Sequence, residues 1–333
     1  MSLTLPPLPP GEGRGEGVGQ DHPKSPVGGS VQDQDARLKT PSPRPSPGGR
    51  GSRQRSAPYL LAAPLALVLG AFLVLPMLAI LVVSFFDYDS VRLIPDVVAT
   101  NYADVLLSSV TWRTYLNTLK YTAMVWAVTV AVGVPVALFL AFCVRSAALQ
   151  SVLFLVCTVP FLTSNIIRMI SWVPFLGREG LFNAALLRAG LIDRPLEVLL
   201  FSDFAIVLAF VHLYALFMVV PVFNTMVRID RRLIEAAVDA GAGPWAVLRE
   251  VVLPLSKPGI AIGSIFIITL VMGDFTTVRL MGGGQRASVG LMISNQIGLL
   301  QYPAACANAV VLLALVLLMV AALLRVVDIR REL

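Results

Sequence analysis

The sequence predicts an all-α integral membrane protein with six transmembrane helices, and three observations carry that prediction. Of its 333 residues, 56% are hydrophobic and 14% charged, where a soluble domain carries about a quarter charged residues. Six apolar runs, at about 59–86, 117–143, 149–175, 202–227, 258–278 and 303–327, each reach the roughly 20 residues a helix needs to cross about 30 Å of hydrocarbon. The runs are continuous and rich in Leu, Val and Ala rather than alternating, so helices are expected and a closed barrel is not.

Ahead of the first run, residues 1 to about 57 have a different composition. "PPLPPGEGRGEG" and "PSPRPSPGGRGSRQR" are rich in Pro, Gly, Ser and Arg and nearly free of large apolar side chains. Such a segment buries too little surface to offset its chain entropy, and a disordered tail is expected. It has no apolar centre of the kind a cleavable signal peptide needs. The two segments are near-copies, which suits translated intergenic repeat with the natural start downstream. Mass spectrometry of the natural N-terminus decides this, and finding Met1 or Ser2 there excludes it.

Within the runs, Pro76, Pro135, Pro160 and Pro221 predict kinks, which membrane helices tolerate. Between them, Lys and Arg set the orientation. The tail, the loop at Arg145, the 228–257 loop and the C-terminus hold 17 of these residues, and the three intervening loops hold 7. With an even number of spans, both termini and the 228–257 loop are expected in the cytoplasm. The net charge of +6 is spent on this asymmetry; the basic residues form no stripe with interleaved aromatics, and nucleic acid is not an expected partner.

Chemistry-bearing residues are few. Cys143, Cys157 and Cys306 all sit in apolar stretches without C-x-x-C spacing, and the two histidines are His22 in the tail and His212 in a run. They read as core hydrophobes, with no metal or cofactor site expected. Four ionisable residues fall in or at the spans: Lys120, Arg168, Asp203 and Asp274. Intramembrane charges are costly and are usually functional or paired. On continuous helices, Arg168 lies about 28 Å up its span and Asp274 about 24 Å up its own, both towards the outer face. Asp203 begins a span on that side. Acids lining an outer vestibule would suit an amine cation; alternatively, Arg168 and Asp274 neutralise each other and lock two helices together. Lys120 is expected to snorkel to the outer interface.

The 228–257 loop is a polar island between two spans. In "DRRLIEAAVDA", Asp230 is placed to cap a helix, with Leu233, Ala236, Ala237 and Ala240 at the spacing of one apolar face. "GAGP" then breaks it, with Gly241 suited to a left-handed helix end and Pro244 to the first turn of a second helix. That helix, "PWAVLREVVL", carries Trp245, Leu248 and Val252 on one side and is expected to stop at Pro254. The result is helix, tight corner, helix. On physical grounds alone it could be an amphipathic loop on the lipid surface or a docking element.

The pattern Glu235-Ala236-Ala237, three residues, Gly241, nine residues, Val251, one residue, Leu253-Pro254 resembles the EAA loop of ABC-importer permeases, with Val where Ile is usual. The resemblance runs over about residues 59–327. "NTLKYT" at 117–122, "TSNIIRMISW" at 163–172, "LGREGLFNAAL" at 176–186 and "GDFTTVRLMGGG" at 273–284 are similar to the spermidine/putrescine-type permeases. Two departures stand out: Arg231 follows Asp230 where that family often has proline, and Thr276-Thr277-Val278-Arg279 replaces a frequent Thr-Pro pattern after Gly273-Asp274-Phe275.

The resemblance implies a type I importer permease in the bacterial inner membrane, with one lead-in helix before a five-helix core. Glu235, Ala236, Ala237, Gly241, Val251, Leu253 and Pro254 would then dock on an ATP-binding subunit, while Arg168, Asp203 and Asp274 are candidates for the pathway by their charge within the membrane. It also implies two ATP-binding subunits, a second permease (homologous but different) and an extracytoplasmic solute-binding protein as partners, besides membrane lipid. The expected solute is a polyamine; related permeases serve metals, phosphonates and other small anions. The chain has no G-x-x-x-x-G-K-[ST] phosphate loop, so hydrolysis is expected on the partner. An ion-driven secondary transporter would show paired repeats, which are not found. A membrane hydrolase would need a nucleophile with a base, and the scattered serines and single intramembrane His offer none.

Overall fold

The computed structural model describes residues 57–89, 92–144 and 146–326. The expected tail through residue 56, Arg145 and the basic segment after residue 326 lie outside the described residues. The chain divides into a unit ending at Leu60 and a second at Leu61–Leu333, and the architecture below is that of the second.

Five helices among the described residues are long and apolar enough to cross a membrane: Ala63–Val83, Ser109–Cys143, Asp203–Met226, Pro244–Gly273 and Tyr302–Arg325. The first is α1 (Ala57–Leu69) running through a π turn at Gly70–Val74 into α2 (Leu75–Val83). It ends earlier than expected because the Ser84 hydroxyl donates to the Leu81 carbonyl and the chain turns into a two-stranded antiparallel hairpin. The hairpin, β1 (Phe86–Asp89) and β2 (Arg92–Val97), departs from the all-helical expectation. It is anchored by α3 (Thr100–Leu107), where Asn101 Nδ2 donates to the Ser84 and Phe86 carbonyls.

The long α4 (Ser109–Leu138) then passes into a π turn at Phe139–Cys143. The third expected span, 149–175, is not one helix. It is α5 (Ala147–Thr158), a 3-10 turn at Val159–Leu162, and α6 (Asn165–Leu176). At 12 residues each, neither half reaches a span length of roughly 20. Pro160 lacks the N–H that would continue the ladder, and Ser164 takes extended backbone angles before α6. After α7 (Leu181–Arg188), α8 (Asp203–Met226) forms the centre of the fold, packed between α4 and α11 (Leu253–Gly273). Its Phe210, Leu213, Met218 and Val222 are fully buried. Small residues permit the approach: a Cβ on Gly259 would lie 2.6 Å from the Pro221 carbonyl and 2.9 Å from Val222 Cα.

The fifth span also departs from 258–278. Helix α11 ends at Gly273, and a separate α12 (Thr276–Gly282) follows. At its start, Pro254 does not stop the preceding helix. A π turn at Leu248–Val252 lets Leu253 N–H reach back to the Leu248 carbonyl, so the last donor falls just before the proline that has none. Pro76 is handled the same way, with Leu75 N–H donating to Gly70 across the first π turn. Beyond α12, α13 (Val289–Gly298) and α14 (Tyr302–Val326) complete the described residues, with α14 packed on α2, α3, α11 and α13.

Candidate functional site

Two helix breaks open on one cavity. The N-terminal end of α6 contributes Ser164 and Asn165; the break between α11 and α12 contributes Gly273, Asp274 and Thr277; Tyr214 of α8 closes the wall between them. The cavity volume is about 640 Å³, within the range of small-molecule sites. Irregular backbone at membrane depth is stable where it lines such a space, because the freed polar groups can be satisfied there.

Asp274 sits at the junction. It ends α11 in an extended conformation, and its Oδ1 accepts from the Thr277 backbone N–H at 2.9 Å, capping the first turn of α12. Its Oδ2 accepts from the Thr277 hydroxyl at 2.8 Å and from the buried Tyr214 hydroxyl at 2.7 Å. These three bonds orient a half-buried carboxylate but bring no positive charge. Among the described residues no cation lies within ion-pairing distance of it.

Arg168 lies one turn into α6 and is only 8% exposed. Its Nη2 donates to Asn165 Oδ1, and its guanidinium stands 5.4 Å from the centre of the Phe161 ring. Its Nε and Nη1 are buried with no hydrogen-bond partner. Arg168 and Asp274 therefore do not form the helix lock open at the sequence level, although the two helix breaks carry them to the same region.

Asp203 is placed differently and does not line the cavity. At the start of α8, its Oδ2 accepts from Lys120 Nζ at 2.7 Å, while its Oδ1 accepts from the Tyr121 hydroxyl at 2.9 Å and faces Arg286 Nε at 3.3 Å. Lys120, expected to snorkel, is held in that pair while half-exposed. The cluster ties α4, α8 and the α12–α13 loop together. The Gly283 backbone is pressed against the Phe201 ring beside it.

Sequence reasoning missed Tyr214, Asn165, Thr277 and Arg286. Thr277, three residues after Asp274, carries a helix-capping spacing that was legible. Tyr214 is one aromatic among many in an apolar run and gives no signal. His212 accepts at Nδ1 from Trp172 Nε1 at 3.0 Å, a structural contact. Among the described residues no group of His, Cys, Asp and Glu could hold a metal, and the three cysteines are free.

In the 228–257 loop, Asp230 Oδ1 accepts from Arg232 N–H at 3.0 Å and caps α9 (Arg231–Asp239). The far end closes as a Schellman motif: Ala242 N–H donates to the Ala237 carbonyl and Gly241 N–H to that of Val238. Gly241 has φ +87° with nothing near a hypothetical Cβ. Pro244 opens α10 (Pro244–Val247), which continues through the π turn into α11 as one rod. The corner is therefore joined rigidly to a span.

The packed face of α9 is Ile234 and Ala237, not the full set expected. Leu233, Ala236 and Ala240 are exposed beside Glu235 and Gly241. Of the second helix, Leu248 and Val252 pack inward, while Trp245 stands 72% exposed. Val251, Leu253 and Pro254 are half-buried.

Residues 130–331 match the family described as the binding-protein-dependent transport system inner membrane component. Among curated relatives, the spermidine/putrescine transport system permease protein PotB of Haemophilus influenzae is 30% identical over 229 residues, covering 68% of this chain and 78% of the relative. PotB of Escherichia coli is 29% identical over 242 residues, covering 72% and 87%. Among solved structures, a bacterial ABC transporter involved in the import of the acidic polysaccharide alginate has the same fold. Its TM-score is 0.66 at 19% identity, covering 84% of this chain and 96% of that one. With more than half of its residues matched to it, the chain belongs to the family of binding-protein-dependent transport system inner membrane components.

Proposed function

We propose that this permease forms half of the pathway of an ATP-driven importer for small cationic amines of the polyamine class. The observation that carries the solute class is Asp274: a carboxylate oriented by Tyr214 and Thr277, lining a cavity of about 640 Å³, with no cation paired to it among the described residues. Uncompensated negative charge in a low-dielectric wall attracts an ammonium group strongly. The similarity to permeases named for spermidine and putrescine supports the same class.

Coupling runs through the loop. One of two ATP-binding subunits would take the exposed surface around Glu235, Ala236, Gly241 and Trp245, with Ala237, Val251, Leu253 and Pro254 setting its shape. ATP hydrolysis belongs to those subunits, a second, different permease supplies the other half of the pathway, and an extracytoplasmic binding protein delivers solute. Both termini lie in the cytoplasm. Because α10 and α11 form one rod, movement of the docked corner is transmitted to the end of α11, where Asp274 sits. Nucleotide and loaded binding protein then bias a two-state equilibrium between inward- and outward-facing forms.

The test is initial-rate uptake of labelled putrescine and spermidine in matched cells with and without the gene, in a background lacking other polyamine importers. Loss of uptake, restored by the wild type but not by Asp274→Asn, is expected. Uptake unaffected by deleting the gene would overturn the polyamine assignment.

A further inference from the structure

We infer that the pocket where α4, α5, α8 and α9 meet at one membrane boundary seats the phosphate of an anionic phospholipid, with Arg231 as the residue that binds it. The site lies apart from the solute cavity and does not depend on the solute class.

The pocket is built from helix ends. Ala141 and Phe142 come from the π turn that finishes α4, and Met226 is the last residue of α8. Ala147 is the first residue of α5 and Arg231 the first of α9, and Gln150 completes the wall. The volume is about 160 Å³. Because the spans Ser109–Cys143 and Asp203–Met226 both end at it, the pocket stands where apolar helix surface gives way to water, the level of the lipid headgroups. Gln150 Nε2 donates to the Leu140 carbonyl at 2.8 Å and holds α5 to the end of α4.

The partial charges of the helix ends offset one another. C-terminal ends of α4 and α8 are matched by N-terminal ends of α5 and α9, which leaves a guanidinium as the net charge on the wall. Among the described residues no acidic side chain lines the pocket. Asp230, beside Arg231, turns Oδ1 to the Arg232 N–H, and Glu235, one helical turn on, forms no ion pair with Arg231. The Arg231 side chain is exposed and makes no hydrogen bond among the described residues. Arg228 and Arg232, close by in the chain, are exposed as well, so the surroundings are basic. A guanidinium fork fits two phosphate oxygens, and basic pockets between membrane helices take anionic headgroups.

The test is lipid retention. The assembled transporter is placed in nanodiscs of equal phosphatidylglycerol and phosphatidylcholine and released into detergent through a high-salt wash, which screens diffuse attraction. Native mass spectrometry then counts the lipid that stays bound. Phosphatidylglycerol is expected to be retained over phosphatidylcholine. Arg231→Gln should cut that ratio by about tenfold, the worth of a charge-assisted hydrogen bond, with Arg231→Lys keeping part of it. Arg232→Gln, outside the pocket, should keep the wild-type ratio. Ala147→Glu sets a carboxylate on another wall of the same pocket and should lower the ratio too; it carries the test should Arg231→Gln fail to assemble. Equal retention of the two lipids by the wild type overturns the inference. An equal fall in Arg231→Gln and Arg232→Gln also overturns it, since the attraction then belongs to the basic surface at large. An unchanged ratio in Arg231→Gln or in Ala147→Glu does the same. Labelled inorganic phosphate that binds through Arg231, with no preference between the lipids, would assign the pocket to a free anion instead.

Discussion

Tyr214 and Asp274, separated by 60 positions in the chain, share a 2.7 Å hydrogen bond in which the phenol donates to Oδ2. The bond joins the middle of the central helix α8 to the point where α11 stops. It fixes one carboxylate oxygen on the wall of the cavity, and among the described residues no cation is paired to that acid.

Removing the phenolic donor should therefore disturb the acid without deleting it. A hydrogen bond to a charged group contributes about 1.5–3 kcal/mol. Tyr214→Phe is expected to raise the Michaelis constant for solute uptake by about tenfold, with membrane levels of the protein unchanged. Asp274→Asn, by contrast, should abolish uptake. Equal KM values for Tyr214→Phe and wild type would show that the bond does not position the acid.

Gly241 makes a separate prediction, because its φ of +87° is unusual but its surroundings are empty. A side chain there meets no neighbour, so any loss comes from backbone strain of about 1–2 kcal/mol. Gly241→Val should accumulate in the membrane yet fail to retain the ATP-binding subunits on purification, and uptake should cease. Gly241→Asn, which tolerates the left-handed region, should keep a larger share of both. A valine variant with full uptake would mean that the corner is not needed for coupling.

Gly259 is the reverse case, with ordinary backbone and no room. A Cβ would strike the Pro221 carbonyl and Val222 Cα, which are backbone atoms and cannot swing aside. Gly259→Val should cost at least the 1–3 kcal/mol of an overpacked core, seen as poor recovery from the membrane and a lowered unfolding temperature. Gly273→Ala, with nothing within 4 Å of its Cβ, should match wild type in the same thermal assay.

The cluster at Asp203 should matter modestly. Its pairs with Lys120 and Arg286 are partly exposed, and such pairs contribute about 0–1 kcal/mol each. Asp203→Asn should lower thermal stability by a few degrees at low salt, and the gap should narrow in 1 M salt as screening weakens the pairs. A large, salt-independent loss of stability would point to packing at the start of α8 instead.

Much of this molecule was legible in its residues. Long Leu-, Val- and Ala-rich runs determine helices because lipid offers the backbone no other partner. The corner was equally local: Asp230, Gly241 and Pro244 each act through their own backbone geometry, and all three occupy the expected positions. The register from Glu235 to Pro254 pointed to the family before any contact was known.

What only the tertiary structure decided begins where neighbours outweigh local preference. Pro160 marked a kink, but that the chain breaks fully at 163–164 depends on a cavity to receive the freed backbone. Pro254 read as a stop, and a π turn carried the helix past it. Arg168 and Asp274 were picked out by their cost in a membrane; that Asp274 is held by Tyr214 rather than by Arg168 could not be read, because Tyr214 lies 60 positions away on another helix. Hydrophobicity and turn chemistry are properties of a residue and its near neighbours, so the sequence alone determines that the apolar runs are helical and where the corner falls. Pairing and cavity shape are properties of surfaces brought together across 60 or more positions, and packing alone decides them.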